Sequence, residues 1–282
     1  MIKFGDFSKE YTSLDNSKIV ILPVPYDGTS TWIKGADKGP EALLNASYNL
    51  EFYDIETGSE VFRKGIYTAP AIKEKRLPEL MNKAVEIQCQ KFLDRDKFVV
   101  LLGGEHSITL GSVIAHNKKY SNLSVLQLDA HSDLRQEYMG SSYNHACIMA
   151  RVREICPITQ VGIRSMDISE KTYINPQTIF YAENIYRHKS WMDKVVDTLT
   201  ENVYVTIDLD VFDPSVLSST GTPEPGGLLW YDVLELMRKV FLAKNVVSFD
   251  VVELCPNKYD KSSDFFAAKL LYKLLTYKFF GE

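Results

Sequence analysis

Apolar residues along this chain fall in short runs of strand length, separated by stretches with helical spacing. The runs are Ile19-Val20-Ile21-Leu22, Phe98-Val99-Val100-Leu101-Leu102, Leu123 to Leu128, Val203-Tyr204-Val205-Thr206-Ile207 and Val246-Val247-Ser248-Phe249. Each is apolar at odd and even positions alike, which suits strands covered on both faces. Further strands are predicted at about 158–163 and 177–181. Pro40 suits the first turn of a helix through about Ser47. Pro78 to Asp94 places Leu80, Met81, Ala84, Ile87 and Lys91 at helical spacing, and Ser107 is a candidate N-cap for a helix through about His116. Helices are also predicted from His145 through about Glu154, from Trp191 to Leu199, from Trp230 to Leu242 and from Asp264 to Phe279. In the Trp230 helix, Trp230, Val233, Leu234, Met237 and Phe241 share one face. Residues 1–17 read as a polar lead-in, and residues 48–77 are mixed. The alternation of strands and helices predicts a three-layer α/β/α fold with a central, mostly parallel sheet. With no low-complexity linker and no internal repeat, residues 1–282 are expected to form one domain.

Composition narrows the function classes. The chain has 282 residues, 45% hydrophobic and 24% charged, with a net charge of −5. No Lys/Arg run stands out, which argues against nucleic acid and anionic membrane as partners. The acidic balance suits a cationic substrate and is equally ordinary for solubility. Cys89, Cys147, Cys156 and Cys255 show no CxxC spacing and read as reduced thiols. No signal-peptide apolar core opens the chain, and no apolar stretch approaches the roughly 20 residues that span a bilayer. The expectation is a soluble, cytoplasmic protein with no membrane partner.

Candidate chemistry gathers where the apolar runs end. Asp129-Ala130-His131-Ser132-Asp133 follows Leu128, and alternation along an extended chain would turn 129, 131 and 133 into one pocket. A chance solvated strand end is the alternative. Gly103-Gly104-Glu105-His106-Ser107 follows the second run, where paired glycines fit a tight turn or a close approach to a ligand. His106 thus sits where a strand hands over to a helix, a position favoured for sites in open α/β sheets. Asp208-Leu209-Asp210 follows the run ending at Ile207. His106, Asp129, His131, Asp133, Asp208 and Asp210 then offer four carboxylates and two imidazoles, too many for one small ion but suited to two that share carboxylates. Without a thiolate, and rich in oxygen, the set points to Mn²⁺ ahead of Fe²⁺, Co²⁺ or Zn²⁺. Two ions about 3.5–4 Å apart hold a bridging water and lower its pKa toward roughly 7. The chemistry that follows is metal-assisted hydrolysis. His116 and His188 fall in no motif and are expected to be structural or at the surface.

Gly103-Gly104-Glu105-His106-Ser107, Asp129 to Asp133 and Thr206 to Pro214 together resemble the three signatures of the arginase/agmatinase ureohydrolases. The resemblance extends over nearly the whole chain. Pro25-Tyr26-Asp27-Gly28-Thr29, Gly39-Pro40, Gly221 to Leu228 and Ser248 to Glu253 match further motifs, although Asp37-Lys38 stands where the family often has Arg-Phe. The resemblance implies two Mn²⁺ per subunit. One would be held by His106, Asp129, Asp133 and Asp208, the other by Asp129, His131, Asp208 and Asp210, with Asp129 and Asp208 as bridges. A hydroxide bridging the two ions would attack the guanidinium carbon. It also implies that Glu253 pairs with the guanidinium, that Asp210 protonates the leaving amine and that His145 relays protons to solvent. Outside that context Glu253 reads as a salt-bridge or capping residue and His145 as a loop histidine. Thr222 and Glu224 are further candidate substrate residues.

The loop after the D-x-H-x-D motif, Leu134 to Cys147, lacks the arginase pattern for an α-amino acid and resembles the agmatinase branch. The expected reaction is agmatine to putrescine and urea, a step in polyamine biosynthesis. Arg135 is either a contact for an acidic substrate tail, as in guanidinobutyrate, or a structural ion-pair partner. The alternatives are guanidinobutyrase, arginase or formimidoylglutamase-like activity, and a non-catalytic metal-binding homologue. The family implies a homotrimer or homohexamer acting on a small cationic guanidine substrate.

Overall fold

The computed structural model describes residues 2–187 and 190–281. Its core is one eight-stranded sheet. In chain order the strands are β1 (Ile19–Val24), β2 (Ile66–Thr68), β3 (Phe98–Gly103), β4 (Leu123–Leu128), β5 (Ile158–Ile163), β6 (Ile179–Tyr181), β7 (Asn202–Asp208) and β8 (Asn245–Val252). They lie in the order β2-β1-β3-β8-β7-β4-β5-β6, and all seven pairings are parallel. The expected α/β/α architecture is therefore what forms.

The apolar runs become strands because both sets of alternating side chains are covered. On one face Ile19, Ile21, Val100, Leu102, Val205, Ile207 and Phe249 pack under the helices Gly39–Ser47, Trp191–Thr198, Trp230–Ala243 and Ser262–Phe280. On the other, Val20, Leu22, Val99 and Leu101 meet Met81, Val85, Cys89 and Phe92 of the helix Pro78–Leu93. Further along that face Val125 and Tyr204 meet Leu110, Val113, Ile148 and Met149. Each fully buried Val, Leu, Ile or Phe contributes about 1.5–3 kcal/mol.

Several local expectations are corrected. In the helix Pro78–Leu93 the buried face is Met81, Asn82, Val85, Glu86, Cys89 and Phe92, while Leu80 and Ile87 are exposed. The apolar count favoured Leu80 and Ile87, but the helix rolls toward the small thiol and the phenyl ring that fit the sheet. Ser107 is not an N-cap; it lies inside a 3₁₀ turn, His106–Ile108, whose cap is Glu105 accepting from the Ser107 N–H at 3.0 Å. The helix after His145 is short, Ile148–Val152 behind the 3₁₀ turn His145–Cys147. The mixed stretch 48–77 contains the edge strand β2. Gly104 is required by packing: a Cβ there would lie 1.9 Å from the Tyr26 carbonyl oxygen. The backbone it approaches is the chain's own rather than a ligand. His116 is buried, as one of its two expected settings allowed, whereas His188 lies outside the described residues.

Candidate active site at the central strand ends

Four adjacent strands, β3-β8-β7-β4, converge their C-terminal ends at the middle of the sheet. Strand order reverses relative to chain order here, so loops leave toward opposite sides and open a crevice, the usual ligand position in such sheets. His106 follows β3, Asp129, His131 and Asp133 follow β4, Asp208 and Asp210 lie at the end of β7, and Glu253 follows β8.

Side-chain alternation is not what brings these groups together. Strand β4 stops at Leu128, and Asp133 turns back through a left-handed backbone (φ 53°). Asp208 ends β7 while Asp210 lies in the 3₁₀ turn Leu209–Val211, its N–H donated to Asp208 Oδ1 at 2.9 Å. Tight turns held by short carboxylates replace the pleat as the aiming device.

The result is two fused clusters. Nδ1 of His106 stands 3.1 Å from Asp129 Oδ2, 3.1 Å from Asp133 Oδ2 and 3.4 Å from Asp208 Oδ2. Nδ1 of His131 stands 2.9 Å from Asp210 Oδ2 and 3.7 Å from Asp129 Oδ1. The sets His106, Asp129, Asp208 and Asp129, His131, Asp210 each bring one ligand atom per residue within 4.8 Å of one another. Asp129 belongs to both.

The donor set fits divalent ions. His106 Nδ1 is buried among carboxylate oxygens yet has no hydrogen-bond partner among the described residues. Such an orphaned atom is costly unless something else occupies its lone pair. The charges give the same answer. Burial, then the negative charges of Asp210 and Asp129, pushes the Asp208 carboxyl well up; burial and Asp129 push Asp133 up to about 7. The cluster resists holding all its carboxylates ionised unless cations are present. Oxygen-rich ligation with one imidazole per ion suits Mn²⁺.

Neighbouring groups hold the ligands in place. Asp129 Oδ2 accepts from Gln127 Nε2 at 2.7 Å, and Gln127 Oε1 accepts from Gln160 Nε2 at 2.6 Å. Asp210 Oδ1 accepts from the Ala130 N–H at 3.0 Å. Glu253 has a left-handed backbone (φ 65°). Its Oε1 accepts from the His106 N–H at 2.7 Å, which fixes the carboxylate beside the clusters.

A cavity of about 250 Å³ beside the clusters is lined by Thr222, His145 and Glu253 and by Arg135, Tyr138, Asp167 and Glu170. Thr29 Oγ1 accepts from the His145 N–H at 3.0 Å and lies 3.0 Å from His145 Nδ1. Burial, the largest cause, pushes the His145 imidazole down to about 4, so it is neutral at physiological pH. Arg135 stacks over Tyr138, 4.5 Å from the ring centre, and lies 3.6 Å from both Asp167 and Glu170. Arg135 thus forms ion pairs while also lining the cavity.

Glu224 is set apart from the other candidates. Its carboxylate is 3.8 Å from His131 Nε2 and does not line the cavity, while its carbonyl is held by Arg164 Nη2 at 2.9 Å. Sequence reasoning missed Arg164, which donates to two carbonyls of the connection after β7, Asp210 at 2.6 Å and Pro225 at 3.1 Å. It also missed Thr29, Asp167 and Glu170. The available signal was position: Asp167 and Glu170 follow the end of β5, on the same rim as the motifs.

Comparison with known proteins adds an independent line. The family model described as the arginase family matches residues 17–276. The N(1)-aminopropylagmatine ureohydrolase of Synechocystis sp. is 40% identical over 281 residues, covering 96% of this chain and 92% of that protein. The protein of the same name from Thermus thermophilus is 37% identical, covering 96% of this chain and 94% of the relative. Among solved structures, the agmatine ureohydrolase of Thermoplasma volcanium superposes with a TM-score of 0.87 at 30% identity, covering 99% of this chain and 94% of that one.

Proposed function

This chain belongs to the arginase family, and from that premise we propose that it releases urea from a linear guanidine carrying a cationic tail. N1-aminopropylagmatine is the preferred substrate and agmatine the shorter alternative. The observation that carries the reading is Asp129, which contributes one oxygen to each of two His/Asp clusters beside a polar cavity. The agmatine expectation covered the head of the substrate; the relatives at 40% and 37% identity move the preferred tail to the longer amine.

Two Mn²⁺ ions, held by His106, Asp129, Asp133 and Asp208 and by Asp129, His131, Asp208 and Asp210, would lower the pKa of water and supply a nucleophile that neutral water lacks. The guanidinium remains charged at any physiological pH. Glu253 Oε2, left free by the Oε1 bond to His106, orients it by a charge-assisted hydrogen bond. Thr222 lies against the same end. Asp210 takes the proton of the attacking water and gives it to the departing amine nitrogen, so the C–N bond breaks without expelling an amide anion. His145, neutral and held by Thr29, carries the other proton of that water to solvent. The ammonium tail meets the Asp167 carboxylate, which lines the cavity and suits a cation.

Urea release measured with Mn²⁺ and N1-aminopropylagmatine, agmatine, arginine and 4-guanidinobutyrate tests the proposal. Highest kcat/KM with the first and next highest with agmatine is expected; arginine as the best substrate overturns it. A homotrimeric or homohexameric assembly and a cytoplasmic location remain proposals carried by the family likeness. Among the described residues no helix is long and apolar enough to cross a membrane.

A further inference from the structure

A buried polar chain runs away from the clusters on the far side of His106. His106 Nε2 is 2.8 Å from Thr206 Oγ1, and Thr206 donates to Asp250 Oδ1 at 2.6 Å. Asp250 Oδ2 accepts from Tyr204 at 2.7 Å and from Thr109 at 2.9 Å. Sheet register produces this arrangement, because Thr206 on β7 is the direct partner of Asp250 on β8. Asp250, Thr206, Tyr204 and Thr109 are all fully buried. A carboxylate in the middle of a sheet is costly, and neither the substrate cavity nor the proposed ligand set uses this one.

We propose that Asp250, acting through Thr206, is a positioning residue that fixes the tautomer of His106 and so aims its Nδ1 lone pair at the metal. The proposal rests on the metal reading of the site given above. Its logic is proton counting. Thr206 has one hydroxyl proton. Asp250 is surrounded by hydroxyl donors, Tyr204 and Thr109 at Oδ2 and Thr206 at Oδ1, so it acts as an acceptor and the Thr206 proton goes to Oδ1. The Thr206 oxygen must then accept, and the only donor that His106 can present is Nε2–H. A neutral imidazole with its proton on Nε2 has a bare Nδ1, the atom that faces Asp129, Asp133 and Asp208 and has no partner among the described residues. Reversing the chain would place the proton on Nδ1 and close the ligand position. The hydroxyl of Thr206 passes the carboxylate's influence to the ring, the role a carboxylate plays directly in many metal sites.

Calorimetric titration of metal-depleted full-length protein with Mn²⁺, together with metal counting after dialysis, tests this. The variants are Thr206→Val, Thr206→Ser, Asp250→Asn and the double variant Thr206→Val/Asp250→Asn, with the melting temperature in chelator as a check on the apo fold. Thr206→Val is expected to weaken one of the two ions by about ten- to a hundredfold, and Thr206→Ser to restore it. Because the two groups act in series, the double variant should be no weaker than Thr206→Val alone. Wild-type affinity in Thr206→Val, a Thr206→Ser as weak as the valine variant, an additive double variant, or a wild type that binds no divalent ion each overturns the proposal. A wild type that binds two ions but hydrolyses no guanidine overturns the proposed function and leaves this inference to be decided by the variants.

Discussion

Asp129 stands with Oδ2 3.1 Å from the Nδ1 of His106, so the first residue after β4 meets the first turn after β3 across two intervening strands. Because its Oδ1 faces His131, its loss reaches both halves of the site. Asp129→Ala is expected to lose both ions and lower kcat/KM by more than about a hundredfold, while His131→Ala mainly weakens one ion. Metal counting on the purified variants decides it: equal loss of one ion from each would contradict the shared role.

Glu253→Gln keeps the acceptor for the His106 N–H but removes the charge proposed to orient the guanidinium. A charge-assisted hydrogen bond is worth about 1.5–3 kcal/mol, so KM is expected to rise on the order of tenfold to a hundredfold at unchanged metal content. Steady-state kinetics at saturating Mn²⁺ checks this, and an unchanged KM assigns Glu253 a purely structural part.

Asp167 and Arg135 separate the tail from the head. Both are partly exposed, and a screened charge contact contributes about 1 kcal/mol. Asp167→Asn should therefore cost roughly fivefold in kcat/KM with N1-aminopropylagmatine and less with agmatine, whose tail is shorter. Arg135→Gln, which frees Asp167 from its ion pair, should not reduce activity on either amine. Equal losses on both amines with Asp167→Asn would place the tail elsewhere.

His116 makes stability depend on pH without touching the site. Burial, the dominant cause, pushes its imidazole down to about 4 from the ordinary 6.5. Between those values the unfolded chain binds the proton and the folded chain does not, so stability falls as pH drops through that window and is intact above it. The contribution lost by pH 5 is about 2 kcal/mol. Chemical denaturation at pH 7.5 and pH 5 should show a smaller pH difference in His116→Gln than in the wild type; the same difference in both would locate the dependence elsewhere.

The site was legible in the sequence where its chemistry lies in contiguous residues. Glu105-His106, Asp129 to Asp133 and Asp208 to Asp210 each carry their ligands within one turn after an apolar run, so spacing alone grouped them. Thr29, Arg164 and Asp250 escaped because each acts on a distant partner. Thr29 and His145 are 116 residues apart, and the Thr206–Asp250 pair exists only through the register of two strands. The fold divided along the same line. Six-residue apolar strands were visible, but β2, three residues at a sheet edge, is too short for periodicity to register. The misjudged face of the Pro78 helix shows that an apolar count does not choose between two candidate faces; the shape of the sheet beneath it does.

The strand order β3-β8-β7-β4 also sets when this protein can begin to work. The bond between Glu253 and the His106 N–H joins residues 147 apart, and β8, which follows the other seven strands in chain order, is inserted between β3 and β7. Until it docks, the groups following β3 and β4 lack the strand that sets their separation. Long-range parallel pairing of this kind is slow to form. A partly folded chain in which β8 has yet to dock therefore presents the His106 and Asp129 groups without a fixed separation.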